Sequence, residues 1–178
     1  GAALIAGKLK GMDRLILRNA MGICGSQASG ILEFLSDGSS VKRLHPGWAS
    51  LSGIIATILA EQGMTGPSTV LEGRFGLYKS HLGAKPYDCD VLTKDLGKKW
   101  EVIDISYKPY PCCHFLPAFI DCVKSIRKSE TFDAAQIEEI ECIIAPGQAE
   151  LVCMPLKEKR NPQTPYDGKF SLPYVMAV

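Results

Sequence analysis

The 178 residues carry 20 Lys and Arg against 19 Asp and Glu, with 46% hydrophobic and 22% charged residues; this fits one globular domain, or one and a part, and excludes extended disorder. A net charge of +1, with no long basic blocks interleaved with aromatics, excludes the field that holds a nucleic-acid backbone. The most apolar run, Leu51 to Ala60 (LSGIIATILA), is too short to cross a bilayer and reads as a buried core helix, so no membrane role is expected.

From Met12 to Leu35 apolar residues recur at helical spacing (Leu15, Leu17, Met21, then Ile31, Leu32, Leu35), broken by GSQASG at Gly25 to Gly30. Two helices meeting at a close-packed joint are expected. Asp37-Gly38-Ser39-Ser40 reads as a turn, KRLHPGW (Lys42 to Trp48) follows, and a helix from about Trp48 to Gln62 ends at Gly63. A short helix is expected through Val70 to Tyr78, so that everything up to Lys99 is α. At Trp100 the character changes. EVIDIS is rich in β-branched residues, KPYP enforces an extended exit, Phe115 to Lys128 is helical in spacing, and IEEIECIIAP is a second strand candidate closed by Pro146-Gly147. Strand, helix, strand is the pattern of a small α+β unit. A polar connector (KEKRNPQTPYDGK) then leads into the apolar FSLPYVMAV. The chain starts at Gly1 and stops within an apolar run, and it reads as a piece of a longer protein.

Seven cysteines, at 24, 89, 112, 113, 122, 142 and 153, are an odd number without a CxxC pair. Reduced thiols in a cytosolic-type compartment are the simpler reading. Four short stretches bear on chemistry. KRLHPGW sets Lys42, Arg43 and His45 on one turn, which is either a solvated helix entry or the seat of a carboxylate. GSQASG lacks the Lys-Ser/Thr ending of a phosphate loop; it serves close helix packing, or a small anion at the helix start after Ser26. YKPYPCCHF (Tyr107 to Phe115) crowds Lys108, Cys112, Cys113 and His114 together. Adjacent ligands cannot converge on one metal and no second cluster completes four, so no metal is expected; a strand-to-helix junction competes with one of Lys108, Cys113 and His114 facing a cleft. His81 reads as exposed, and Asp121 and Cys122 as ordinary helix residues.

Taken together, GSQASGILEFLSDGSSVKRLHPGWASLSGIIATILAEQGMTGPSTVLEGRFG, YKPYPCCHF and YDGKFSLPYVMAV resemble the MmgE/PrpD family, which includes 2-methylcitrate dehydratase, cis-aconitate decarboxylase and iminodisuccinate epimerase. The resemblance implies a mainly α protein: part of a large all-helical domain at 1–99, an inserted α+β domain at 100–165, and the start of a return to the helices at 166–178. It implies a cytoplasmic homodimer, or one in the mitochondrial matrix of a eukaryote, that acts on small di- and tricarboxylates without a metal or organic cofactor, in a cleft between the domains. By the same resemblance Lys108, His45 and Tyr174 are catalytic, and Lys42, Cys113 and Ser26 bind substrate. Pro117 stands where many relatives have His, and Cys113 where some do, which leaves open the group that transfers the proton. The family's N-terminal helical half, which supplies an acidic residue and further His side chains, is expected to be missing. A hydro-lyase of the 2-methylcitrate dehydratase kind is the first expectation, a decarboxylase or epimerase the second. An inactive fragment or carboxylate-binding partner subunit is the reading from another class.

Overall fold

The computed structural model describes residues 1–178. The chain is mainly α and divides into two compact units, one of Gly1–Ile31 with Val41–Ile103, the other of Leu32–Ser40 with Asp104–Val178. No helix is long and apolar enough to cross a membrane.

The first unit is built on α1 (Ala2–Leu9), α2 (Arg14–Gln27) and α3 (Leu44–Glu61). Asp13 starts α2 by accepting from the Ile16 N–H at 2.8 Å, which satisfies one of the four N–H groups that a helix start leaves without partners. Ala28 turns extended and ends it. The second helix expected through Ile31 to Leu35 is absent: only Glu33–Leu35 coil, as a 3-10 turn that buries Phe34 in the other unit. GSQASG therefore ends a helix rather than joining two. The third helix begins at Leu44, earlier than expected, because Pro46 falls in its first turn, where a missing N–H loses no helical bond. It stops as the spacing predicts. Gly63 (φ +92°) donates to Ala60 O and Met64 to Leu59 O, at 3.1 and 3.0 Å, the paired closure that a left-handed glycine permits.

Four alanines, Ala3, Ala20, Ala56 and Ala60, make this core with Ile23. A Cβ on Gly53 would lie 2.6 Å from Ala2 Cβ and 2.8 Å from Ala3 N, so the α1–α3 approach depends on its absence. The buried Thr57 hydroxyl donates to Gly53 O at 2.8 Å and thus loses no hydrogen bond. The close approach leaves no depth for larger groups; Leu51, Ile54 and Ile58 on α3 each stay 48% exposed. The loop after α3 returns along α2, where a Cβ on Gly22 would meet Pro67 N at 2.6 Å. Over the stretch expected to be helical at 70–78, the chain instead winds through turns (Gly73 N–H to Thr69 O, Leu77 N–H to Val70 O, both 2.8 Å) before α4 (Leu77–Leu82). Gly73 and Gly76 disfavour a continuous helix there.

The second unit centres on Phe34, Cys113, Leu116, Val152, Phe170 and Leu172. Around them lie α5 (Pro117–Ser129), α6 (Pro146–Val152), α7 (Leu156–Arg160), α8 (Pro165–Gly168) and α9 (Leu172–Ala177). Pro117, Pro146 and Pro165 each open a helix. Neither expected strand forms: Glu101–Asp104 coil into a 3-10 turn, and Ile137 to Ala145 carry no ladder. β-branched composition favours extended backbone, but a strand exists only with a partner, and neither segment has one. Pro146-Gly147 accordingly starts a helix instead of closing a strand.

Candidate active site

In the first unit the two anion-binding candidates meet. Lys42 lies in the 3-10 turn Ser40–Arg43 and His45 is the second residue of α3; both are half-buried, whereas Arg43 is exposed. Gly30, at the end of GSQASG, has φ +108°, and a Cβ built on it would stand 3.5 Å from the His45 ring. The backbone thus packs against the imidazole and limits its rotation. No acidic residue occupies the first turn of α3 and its N-cap side chain makes no capping bond. Two cations and a histidine therefore sit at the start of an 18-residue helix, the positive end of its dipole.

Ser26, in the last turn of α2, is exposed and faces a cavity of about 380 Å³. The opposite wall is the 67–81 stretch, with Thr69, Arg74, Ser80 and His81. Sequence reasoning set His81 aside as exposed, which it is, and passed over Arg74. A Cβ on Gly25 would lie 2.1 Å from Val70 Cγ2, so the end of α2 rests directly on this loop. Only the glycine pattern of LEGRFG could have signalled it.

In the second unit Lys108 is exposed and its ammonium donates to Cys112 O at 3.2 Å, leaving two N–H donors on the nitrogen. Cys113 is 5% exposed; its thiol packs with Leu116 and Phe170, and its N–H donates to Lys169 O at 2.8 Å. That bond ties YKPYPCC to the segment carrying Tyr174. Ser171, fully buried, caps α9 by accepting from the Tyr174 N–H at 3.0 Å while its hydroxyl donates to Lys159 O. A Cβ on Gly168 would come within 3.1 Å of the ring of Tyr174, a residue that is 40% exposed. Ser26, Lys42 and His45 thus lie in one unit, with neither Lys42 nor His45 lining the Ser26 cavity, and Lys108, Cys113 and Tyr174 lie in the other.

Asp121 and Lys124, an i, i+3 pair on α5, hold this extended segment in place. Tyr110 donates to Asp121 Oδ1 and receives Lys124 Nζ at 3.2 Å. The spacing was readable, but its partner Tyr110 was not. All seven cysteines are free thiols. Burial pushes the Cys24, Cys112, Cys142 and Cys153 thiols up; at Cys112 the Cys113 thiol adds to the effect and the Lys108 ammonium opposes it. No group of three or more His, Cys, Asp or Glu is arranged to hold a metal ion.

Comparison with known proteins gives the geometry a family. Two proteins described as cis-aconitate decarboxylase, from Aspergillus terreus and from its strain NIH 2624 / FGSC A1156, are 27% and 26% identical to this chain over 185 aligned residues, covering 99% of it. A cis-aconitate decarboxylase-like protein oryM of Aspergillus oryzae (strain ATCC 42149 / RIB 40) is 26% identical over 149 residues, 80% of the chain. The chain spans 37% of the length of the first two and 31% of the third. The family model described as the MmgE/PrpD N-terminal domain matches residues 1–90, and that of the MmgE/PrpD C-terminal domain matches residues 110–178. With both models matched in order along its length, the chain belongs to the MmgE/PrpD family.

Proposed function

We propose that the chain is part of a cofactor-independent lyase acting on small di- and tricarboxylic acids, and that its reaction is a hydro-lyase step of the 2-methylcitrate dehydratase kind. The observation that carries this reading is the cationic entry to α3, where His45 packs against Gly30 at the end of GSQASG and Lys42 lies in the turn just before it, in a chain of this family. Eliminating water from a hydroxy acid removes a proton next to a carboxylate and protonates the departing hydroxyl. Negative charge builds up on that carboxylate, and fixed cations lower the barrier. Lys42 and Ser26 bind substrate carboxylates and Lys108 stabilises the developing charge. His45 or Tyr174 transfers the proton, and Cys113 joins Lys42 and Ser26 in binding substrate.

The names of the relatives give a second reading equal support, decarboxylation of cis-aconitate. There CO2 leaves with the same accumulation of charge and a proton is delivered to carbon, so the same residues serve. An epimerase would use them without loss of any group. Product analysis separates these reactions. The polypeptide at its native length is incubated with 2-methylcitrate, citrate and cis-aconitate; the proposal expects unsaturated tricarboxylates from the first two. CO2 release from cis-aconitate alone establishes the decarboxylase, and no turnover of any of them, with saturable citrate binding, establishes a binding subunit.

The same reading carries a homodimer in the cytoplasm, or in the mitochondrial matrix of a eukaryote. It also carries an α+β character for 100–165, between a helical portion at 1–99 and a returning segment at 166–178, in which the unladdered Ile137 to Ala145 gains a strand partner. Amide exchange across 137–145 tests that last point: protection at alternate residues is expected, and uniform fast exchange refutes it.

A further inference from the structure

We propose that the pocket beneath LEGRFG is a carboxylate subsite and that Arg74 is its anchoring, specificity-determining cation. The inference rests on the reading of the protein as acting on small polycarboxylates, and it adds a residue to which that reading gives no role. The pocket, about 380 Å³, falls within the roughly 300–1,000 Å³ of small-molecule sites. Its polar side chains are the hydroxyls of Ser26, Thr69 and Ser80, the Arg74 guanidinium and the His81 imidazole, with no carboxylate among its lining residues. The Ser26 and Thr69 hydroxyls beside a guanidinium are the complement of a carboxylate, whereas the Ser80 hydroxyl already donates to Gly76 O at 3.0 Å.

Four features make this a built pocket rather than a chance hollow. The loop is tied to itself by backbone bonds from Gly73 to Thr69 O, Gly76 to Gly73 O, Leu77 to Val70 O and Tyr78 to Leu71 O, at 2.7–3.0 Å. Gly73 and Gly76 have no room for a Cβ, which would meet backbone oxygen at 2.6 and 2.7 Å, so the turn is locked by its glycines. Arg74 makes no ion pair; its guanidinium carbon lies 4.3 Å from the Phe75 ring centroid, a stacking that orients the group without neutralising it. His81 binds Leu77 O through Nδ1 at 2.9 Å, which fixes Nδ1 as the protonated nitrogen in the neutral ring and leaves Nε2 as an acceptor. A protonated substrate hydroxyl or carboxyl would donate to it.

The test is calorimetric titration of the full chain with citrate and, separately, inorganic phosphate, for wild type, Arg74→Gln and Arg74→Lys, with circular dichroism to establish that each variant is folded. The expected result is saturable citrate binding, about tenfold or more weaker in Arg74→Gln and partly restored in Arg74→Lys, because a lysine keeps the charge but not the forked geometry. Citrate affinity unchanged in a folded Arg74→Gln overturns the subsite, as does wild-type chain that binds no citrate. Phosphate binding as tight as citrate overturns the carboxylate assignment. Turnover assays at native length keep the two readings apart. Dehydration with an unaltered KM in Arg74→Gln removes the subsite and leaves the lyase; Arg74-dependent citrate binding without turnover removes the lyase and leaves the subsite.

Discussion

Substituting Gly53 by Ala adds one methyl group at the tightest approach of α1 and α3. The new Cβ would stand 2.6 Å from Ala2 Cβ, 2.8 Å from Ala3 N and 3.2 Å from Ala2 C, so α1 must retreat by about 1 Å to restore ordinary contact. Two of these three atoms are backbone and cannot rotate aside. Overpacking of this kind costs about 1–3 kcal/mol, and replacing a mid-helix glycine returns up to about 1 kcal/mol in propensity. The retreat also lengthens the Thr57 hydroxyl contact to Ala3 O, already 3.4 Å, and opens space around Ala56 and Ala60. The expected net loss is about 1–2 kcal/mol, a fall in Tm of about 5–10 °C for a unit of this size. Thermal unfolding followed by circular dichroism measures it. A Tm equal to or above wild type would mean that the helices are not in this contact and that propensity alone governs the site.

Leu116→Ala removes a fully buried side chain from the core of the second unit and is expected to cost about 2–5 kcal/mol, read as a lower midpoint in urea; a loss under 1 kcal/mol would show that Leu116 is not at that core's centre. Gly30→Ala forces a side chain to φ +108° next to the His45 ring, and at native length it should lower turnover while changing Tm by only a few degrees; unaltered turnover would detach GSQASG from His45. The raised thiols of Cys24, Cys112, Cys142 and Cys153 fix the sign of a pH effect. Their folded forms hold protons more tightly than the unfolded chain, whose thiols titrate near 9.0, so the stability they contribute is complete below that pH and is lost as pH rises above it. Tm should fall as pH rises above about 9 and recover on return under reducing conditions; a flat profile would show these thiols to be solvated.

The helix ends were legible where a single residue type sets them. Gly63 closes α3 and Pro117 opens α5 because each acts through its own backbone. The start of α3 was misplaced because Pro46-Gly47 reads as a turn, whereas proline within a first turn is compatible with helix. The helix assigned to Val70 to Tyr78 failed for a related reason: apolar spacing is present, but glycines at 73 and 76 release the backbone to bond as turns. EVIDIS and IEEIECIIAP have strand composition without strand pairing, and pairing is a property of the partner that composition does not report. Of the candidate site, residues that carry their chemistry in a motif (Lys42, His45, Lys108) stood out. Arg74 did not, because what distinguishes it is the glycine-locked loop and the facing Ser26, both of which are tertiary facts.

The central claim is that Lys108 stabilises charge developing on a carboxylate substrate, and turnover of 2-methylcitrate by Lys108→Ala at native length, under saturating substrate, tests it most directly. The ammonium is exposed and its one hydrogen bond, to Cys112 O, is a surface contact, so the variant should fold with a Tm close to wild type. The account predicts a fall in kcat of about 100-fold or more, the magnitude typical of deleting a preorganised group that stabilises transition-state charge. Turnover at the wild-type rate by a folded Lys108→Ala would contradict it.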